Sequence, residues 1–386
     1  MKLYLFVLPV MLVAVLQASG CTSTPSGVVP AGGTYISESA GAHFDQSVTR
    51  TDGEEDAHIA SMFLGRANRP AHTPDTIYVA AGSNGIVVSN DDGATWEAIA
   101  VPLRVSDVVA LVSGVIVVSG VDADGQGFVL RTIDDGKSWE TVLTVPVPVQ
   151  QTSRGFFGSS NDAVPAVVIA ITEDPLRPDR IYAGTSLGGI LAGEQSAKTW
   201  RTIHTLTDGF FSSASAQPAL GIRDIVASPV RQGELAVLTN RGALWLVNNT
   251  EQRKLSIKQN LDTDSQFGNS ANKRVLNVTF IPEFPDALFA GVNDGAVITR
   301  DQGATWEQLK LPVDTVQQFN SAVVAVSPTN SARMFVGINS VVYRSEDGGV
   351  TWNTFSLGLK SHLITEILID PLNAAKVLLV TRRLAV

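Results

Sequence analysis

Three carboxylates occupy similar places in the sequence, each early in a run of β-branched and apolar residues. They are Asp107, Asp224 and Glu366. Hydrolysis of a glycosidic bond needs two carboxyl groups on either side of a substrate cleft, so these residues are the candidates for that chemistry. The alternative, which we favour, is that they are solvated residues at the mouth of a central channel.

Motifs for phosphate binding and for zinc-dependent hydrolysis are absent from the sequence. It contains no G-x-x-x-x-G-K-[ST] or H-E-x-x-H segment. The five histidines are scattered without the spacing of metal ligands, at positions 43, 58, 72, 204 and 362. A single cysteine excludes a disulfide framework and a Cys-based zinc site. We therefore expect no catalytic residue, no metal and no cofactor.

That cysteine, Cys21, has a context of its own. It follows a basic residue, the apolar stretch 3–16, and the small residues Ala18, Ser19 and Gly20. This arrangement resembles a bacterial lipobox, which predicts a lipoprotein signal peptide over residues 1–20 and a lipid on Cys21. Residues 21–32 are then a flexible tether, and the protein is held at an outer membrane or cell surface. The alternative is an ordinary signal peptide with an incidental cysteine.

Composition favours an all-β protein. The 386 residues include 28 Lys and Arg against 37 Asp and Glu, which gives a formal charge of −9 and disfavours nucleic acid as a partner. Glycine occurs 33 times and proline 18 times, among many Val, Ile and Thr. Such a composition is typical of short strands joined by turns.

Internal repeats decide the fold class. The pattern S/T-x-D-x-G-x-T/S-W occurs at residues 89–96, 132–139, 299–306 and 345–352, and a worn copy spans 193–200. Asp accepts hydrogen bonds from its own turn, Gly supplies a positive φ, and Trp packs between sheets. The residues with these structural roles are Asp91, Gly93, Trp96, Asp134, Gly136, Trp139, Asp301, Gly303, Trp306, Asp347, Gly349 and Trp352. Each turn offers one or two carboxylates, so metal binding there is disfavoured.

A second pattern precedes these turns. β-branched runs end at Pro175, Pro229, Pro282, Pro328 and Pro371, with spacings of 43–54 residues, and a short apolar strand follows each. This period is typical of a four-stranded propeller blade with strands A, B, C and D.

The ends of the chain complete the count of blades. The last two strands, after residue 362, have no Asp turn, whereas residues 33–44 align with 341–352 as a decayed copy of one. We expect residues 33–50 to supply strands C and D of the C-terminal blade, which removes exposed sheet edges. With strands A near residues 59, 106, 167, 222, 275, 322 and 364, residues 33–386 form a seven-bladed β-propeller.

These repeats resemble the Asp-box, or BNR-repeat, propeller proteins over nearly all of the predicted mature chain. That family includes sialidases, xyloglucanase-type hydrolases, the sortilin luminal domain, the photosystem II assembly factor and many bacterial lipoproteins. The resemblance implies that the Asp turns are structural and lie away from any active site. The Arg-Ile-Pro motif of sialidase-like members is missing, since Phe280-Ile281-Pro282 is the nearest segment.

Loops between strand D and the next strand A contain phenylalanines among Ser, Gly, Asn and Gln. The candidates for a binding surface there are Phe156, Phe157, Phe210, Phe211, Phe267 and Phe319. Alternatively, these rings fill the seams between blades.

We predict a monomeric, lipid-anchored module without catalytic activity that binds a protein or glycan, its only membrane contact being the lipid. A glycoside hydrolase using the channel carboxylates, or a relative of photosystem assembly factors, are the alternatives.

Overall fold

The computed structural model describes residues 32–46, 50–51, 54–55, 66–145, 166–206, 221–257, 273–313, 321–357 and 362–383. These residues form strands, turns and loops, and no helix occurs among them. Accordingly, no helix in the described ranges is long and apolar enough to cross a bilayer. Seven antiparallel sheets of four strands each are present, together with one two-stranded pair.

The strands follow the chain in order. The first are β1 (Gly32–Ser37), β2 (Asp45–Gln46) and the two-stranded pair β3 (Arg50–Thr51) and β4 (Glu54–Glu55). Blade 1 contains β5 (Ala67–Asn68), β6 (Ile77–Ala80), β7 (Ile86–Ser89) and β8 (Glu97–Ile99). Blade 2 contains β9 (Arg104–Ala110), β10 (Ile116–Val121), β11 (Gly127–Thr132) and β12 (Glu140–Thr144). Blade 3 contains β13 (Val168–Asp174), β14 (Arg177–Thr185), β15 (Gly189–Glu194) and β16 (Thr199–Thr205).

The remaining blades repeat this arrangement. Blade 4 contains β17 (Ile222–Ala227), β18 (Leu235–Thr239), β19 (Leu244–Val247) and β20 (Gln252–Leu255). Blade 5 contains β21 (Val275–Phe280), β22 (Leu288–Val292), β23 (Gly295–Thr299) and β24 (Glu307–Gln308). Blade 6 contains β25 (Ala322–Ser327), β26 (Asn330–Ile338), β27 (Val341–Ser345) and β28 (Asn353–Ser356). Blade 7 contains β29 (His362–Ile369) and β30 (Val377–Arg383), completed by β1 and β2.

The seven strands A surround one axis. Each contacts strand A of the next blade around the whole ring, including β29 of blade 7 against β5 of blade 1. One cluster of buried hydrophobic side chains lies at each of the seven interfaces between adjacent blades. Because both faces of a blade are covered by neighbours, β18 and β22 of strand type B are buried along their whole length. The molecule is therefore a seven-bladed β-propeller, as the repeats predict.

The N-terminal strand closes the ring. Strand β1 pairs with β30 over six residues, with Tyr35 opposite Leu379 and Thr34 opposite Val380. In the following turn Ser39 stands where the other turns have Asp, and its Oγ accepts a hydrogen bond from the amide of His43 at 3.0 Å. The predicted contribution of residues 33–50 to strands C and D of the last blade is confirmed for β1 and β2.

One predicted strand is misplaced. The innermost strand of blade 1 is Ala67–Asn68, about eight residues after the position near residue 59 that the sequence suggests. Its register is fixed by the amide of Ala80, which donates to the carbonyl of Arg66 at 2.9 Å. Pro70 then begins the loop to strand B, as the prolines of the other blades do. The two-residue strand has no β-branched run, which explains the error.

Candidate functional site

A ring of equivalent positions lies on the seven strands A. In each blade, one residue of strand A is paired with the equivalent residue of strand B. In blade order these strand A residues are Arg66, Asp107, Ala170, Asp224, Asn277, Val323 and Glu366. In five blades a β-bulge directly precedes the ring residue. Because a bulge changes the direction of the side chain that follows, it turns these residues out of the blade face. We call this set the channel ring.

Charged members of the channel ring meet on the axis. The Nε atom of Arg66 lies 2.9 Å from Oδ2 of Asp107, and its Nη1 lies 2.6 Å from Oδ1 of Asp224. The side chain of Arg66 is 28% exposed, whereas those of Asp107 and Asp224 are 3% and 7% exposed. One guanidinium from blade 1 therefore connects blades 2 and 4 across the channel.

Backbone amides also hold Asp107. Its Oδ1 accepts a hydrogen bond from the amide of Val108 at 2.8 Å, and its Oδ2 accepts one from the amide of Ile171 in blade 3 at 2.9 Å. Equivalent bridges join other neighbouring blades, since Asn277 accepts from the amide of Val324 at 3.0 Å. The carboxyl of Asp107 is thus fixed in position by three donors.

The electrostatics of the channel ring follow from three acids around one base. Burial by itself lowers the pKa of Arg66, but the carboxylates of Asp224, Asp107 and Glu366 outweigh it and raise that pKa above its ordinary value. Burial raises the pKa of Glu366 to about 8, against the opposing effect of Arg66. The pKa of Asp107 rises to about 6, again through burial, although Arg66 and the two amides lower it.

Glu366 differs from the other two acids. It is half-buried, and within the described ranges no hydrogen-bond donor reaches its carboxyl group. With a pKa of about 8 it is mostly protonated at neutral pH. The channel ring therefore contains two carboxylates committed to Arg66 and one neutral carboxyl group beside them. That arrangement can tie blades together, and Glu366, whose pKa is the higher of the two raised values, can give up a proton near neutral pH.

The four Asp turns share one set of contacts. In each, the Asp carboxylate accepts the amide of the residue four positions later, at 2.8–2.9 Å, and the hydroxyl of that residue. It also accepts the hydroxyl two positions earlier, at 2.6–2.8 Å. Hydrogen bonds, led by those from hydroxyl groups, lower the pKa of Asp134, Asp301 and Asp347 to about 2. The oxygens are thus engaged within their own turns.

The glycines and tryptophans of these turns serve packing. Gly93, Gly136, Gly303 and Gly349 have φ values between 82° and 93°. Trp96 is 2% exposed, whereas Trp139, Trp306 and Trp352 are half-buried. The indole of Trp139 donates to the carbonyl of Ala100 in the preceding loop at 3.1 Å, so it joins blade 2 to blade 1.

A second acidic group lies at the closure of the ring. Asp75, Asp92 and Asp370 approach one another closely enough to suggest a metal site. Two cations pair with two of these acids: Arg69 lies 2.6 Å from Asp370 and also contacts Asp92, and Lys376 contacts Asp92. These ion pairs join blade 1 to blade 7, so Asp92 and Asp370 have a structural role at the closure of the ring.

Several predicted residues lie outside the described ranges. They are Cys21, Phe156, Phe157, Phe210, Phe211, Phe267 and Phe319. The predicted signal peptide and most of the predicted tether lie there too. The channel carboxylates, in contrast, do converge. The favoured interpretation that they are solvated is wrong for Asp107 and Asp224, which are buried because Arg66 pairs with both. Arg66 is the residue that the sequence interpretation missed.

The class of protein is a seven-bladed β-propeller, and comparison with known proteins gives its structural neighbours. No protein-family model matches the sequence, and no curated protein matches it. Among solved structures, YCF48 bound to D1 peptide is similar with 17% identity and a TM-score of 0.53, over 84% of this chain and 92% of that one. YCF48 from Cyanidioschyzon merolae has 14% identity and a TM-score of 0.56, over 83% and 96%.

A glycoside hydrolase is also a neighbour. An ancestral GH74 enzyme has 12% identity and a TM-score of 0.52, over 76% of this chain and 38% of that one. At these identities the likeness concerns the fold alone. The neighbours thus include both an enzyme and a peptide-bound propeller that shares most of its length with this chain.

Proposed function

We propose that this protein is a lipid-anchored, extracytoplasmic propeller without catalytic activity, which binds a protein or glycan partner and serves as an assembly module. The observation that supports this most is that Asp107 and Asp224 both form ion pairs with Arg66. Both carboxylates are nearly inaccessible and point at a cation on the axis. Glycoside hydrolysis needs two carboxyl groups that reach a sugar from opposite sides, and these two do not have that freedom.

A protein of similar fold also supports a binding function. One structural neighbour is YCF48 bound to D1 peptide, so a propeller of this architecture can bind a peptide. The sequence of the phenylalanine-containing loops from strand D to strand A has a composition suited to recognition, with aromatic rings that can bury area and amides that can form hydrogen bonds.

A second candidate function is glycoside hydrolysis. It is favoured by Glu366, whose pKa of about 8 keeps it protonated near neutral pH, as a general acid must be. The GH74 neighbour has the same architecture in part of its length. In that case Glu366 donates the proton to the leaving group, and one of the two aspartates must leave Arg66 to complete the pair.

Turnover assays separate the two functions. The purified protein is incubated with sialosides, xyloglucan oligosaccharides and chromogenic glycosides at pH 5 to 8, beside Glu366→Gln and the exposed control Glu97→Gln. We expect no turnover by any of the three proteins. Hydrolysis that Glu97→Gln retains and Glu366→Gln loses would establish the second candidate instead.

The anchor and the partner are tested in the native host. A fatty-acid analogue should label the wild type and not Cys21→Ser, which should be released in soluble form. Proximity labelling from the intact lipoprotein should then mark a partner that the released variant no longer reaches. Equal labelling of both forms by the fatty-acid analogue would refute the lipid anchor.

A further inference from the structure

In the part of the chain that the structure describes, the large exposed apolar side chains lie on one face of the propeller. In an antiparallel blade the loop from strand A to strand B and the turn from strand C to strand D lie at the same end. Among the described residues, every large hydrophobic side chain that is exposed belongs to these loops and turns: Val112, Ile133, Leu176, Val230, Phe284, Val350 and Leu372. Scattered singly they need no explanation, but two of them lie together.

Those two line a groove between blades 5 and 6. The groove has a volume of about 570 Å³ and is formed by the A-to-B loops of both blades and by the Asp turn of blade 6. Phe284 is 55% exposed and Val350 is 75% exposed, while Ile281 and Met334 form buried parts of the wall. This volume is in the range of pockets that hold a few side chains of a ligand.

The loop that presents Phe284 is held firmly. The amide of Phe284 donates to the carbonyl of Ile281 at 3.2 Å, and the amide of Ala287 donates to the carbonyl of Phe284 at 3.0 Å. The hydroxyl of Ser331 in blade 6 donates to the carbonyl of Pro282 at 2.7 Å. Glu283 has a φ of +72°, a left-handed conformation that is unfavourable for this residue. Such strain persists where neighbours impose it, and it often marks binding sites.

The groove has a net negative charge. Arg300 is neutralised by Glu307 at 2.7 Å, and Asp286 is neutralised by Arg231 at 2.5 Å. The two remaining acids are Asp347 and Glu283. Hydrogen bonds to hydroxyl and amide groups of its turn lower the pKa of Asp347 to about 2, so it is ionised at every physiological pH. No cation within the described ranges forms an ion pair with Glu283.

We propose that this groove docks a short segment of a protein partner in which an aromatic or large aliphatic side chain stands next to Lys or Arg. The apolar side chain packs on Phe284 and Val350, and the basic group lies near Glu283 and Asp347. A preformed groove loses little conformational entropy on binding, which favours a rigid loop of this kind. This assignment goes beyond the proposed function, because it concerns the face opposite the loops from strand D to strand A and is independent of them.

The test uses a phage-displayed library of random twelve-residue peptides, selected on the purified protein. We expect enriched peptides that combine an aromatic or branched aliphatic residue with Lys or Arg. A synthetic copy of the enriched peptide should bind Phe284→Ser and Glu283→Lys at least about tenfold more weakly than the wild type, as a central anchor requires. Matched controls are Leu372→Ser, at an exposed apolar residue of the A-to-B loop of blade 7, and Glu97→Lys on strand β8, which should bind like the wild type.

Other outcomes overturn the assignment. Selection of acidic peptides, or binding that is insensitive to Phe284→Ser while the variant keeps the wild-type melting temperature, would refute it. Concentration-dependent dimerisation that Phe284→Ser abolishes would instead assign the groove to a second copy of this chain. Neither result depends on whether the protein hydrolyses glycosides, so failure here is distinguishable from failure of the proposed function.

Discussion

Arg66 and Asp224 form an ion pair across the axis of the propeller, with 2.6 Å between Nη1 and Oδ1, although they belong to blades 1 and 4. Contacts between neighbouring blades are mainly apolar, so this pair joins elements that the hydrophobic clusters do not join. Since Arg66 also contacts Asp107 of blade 2, a single side chain restrains three blades. The ion pairs of the channel ring therefore have a structural role, because they hold blades 1, 2 and 4 together.

Removal of Arg66 should be strongly destabilising. Arg66→Met keeps an unbranched apolar side chain at this position but leaves Asp107 and Asp224 buried without their cation. Breaking a buried pair from one side costs about 3–5 kcal/mol, and we expect a loss of this size in urea unfolding at pH 7. The control is Arg300→Met, whose exposed pair with Glu307 should contribute no more than about 1 kcal/mol. Equal effects of the two substitutions would contradict a structural role for the channel pair.

The stability of the wild type should fall as pH rises towards 8. Burial raises the pKa of Glu366 to about 8 against the opposing effect of Arg66, with Asp224 and Asp107 raising it further. Between pH 4.5 and 8 the folded state therefore binds more protons than the unfolded state, and the free energy of unfolding decreases with increasing pH. Asp107, with a pKa of about 6, contributes in the same direction below its own pKa.

Glu366→Gln isolates this contribution. The amide is neutral at all pH values, so the variant should melt close to the wild type at pH 5 and above it at pH 8. The measurement is the difference in melting temperature between variant and wild type at pH 5, 6.5 and 8. A difference that stays constant over this range would show that Glu366 does not titrate there in the folded state.

Much of the fold could be predicted because its signals are local and repeated. The Asp turns specify the link from strand C to strand D, and a decayed copy at residues 33–44 is enough to predict closure by β1. The first strand A was misplaced because Ala67–Asn68 has only two residues and no apolar pattern. Blade 4 lost the Asp turn, yet it folds alike because Asn248 accepts hydrogen bonds from the amides of Thr250 and Glu251.

The candidate site was only half predictable. Position early in strand A singled out Asp107, Asp224 and Glu366, but convergence depends on bulges and on blade rotation, which sequence spacing does not reveal. Arg66 escaped notice because its strand did. The groove at Phe284 depends on the backbone conformation of Glu283 and on contact with the next blade, and no short sequence pattern encodes either.

Closure by β1 predicts a large effect of N-terminal truncation. In the Cys21→Ser background, deletion of residues 33–50 removes five of the six residues that pair with β30 and leaves that strand as an exposed edge. The truncated protein should aggregate or melt at a much lower temperature in a scanning calorimeter. Deletion of residues 22–30, expected to be tether, is the control and should not change the melting curve. An unchanged melting curve for both deletions would contradict the role of β1.

Burial ranks the tryptophans of the Asp turns. Trp96 is 2% exposed and packs between blades 1 and 7 with Ile77 and Leu378, whereas Trp306 is half-buried. Trp96→Ala should therefore cost about 3–5 kcal/mol in urea unfolding, as for large core residues. Trp306→Ala should cost less, because part of its ring area is already in water. A larger loss for Trp306→Ala would mean that the indole does more than pack.

Substitutions of the loop phenylalanines test for a binding surface on the face formed by the loops from strand D to the next strand A. If the rings of Phe156, Phe157, Phe210 and Phe211 face solvent, each change to Ala should alter stability by no more than about 0.5 kcal/mol, as at ordinary surface positions. The variants should nevertheless no longer bind the partner identified by proximity labelling. The measurements are urea unfolding and a pull-down of that partner, with Leu372→Ala as an exposed control on the opposite face. A large loss of stability when Phe156 and Phe157, or Phe210 and Phe211, are changed together would show that the rings fill the seams between blades. The binding surface would then have to lie elsewhere.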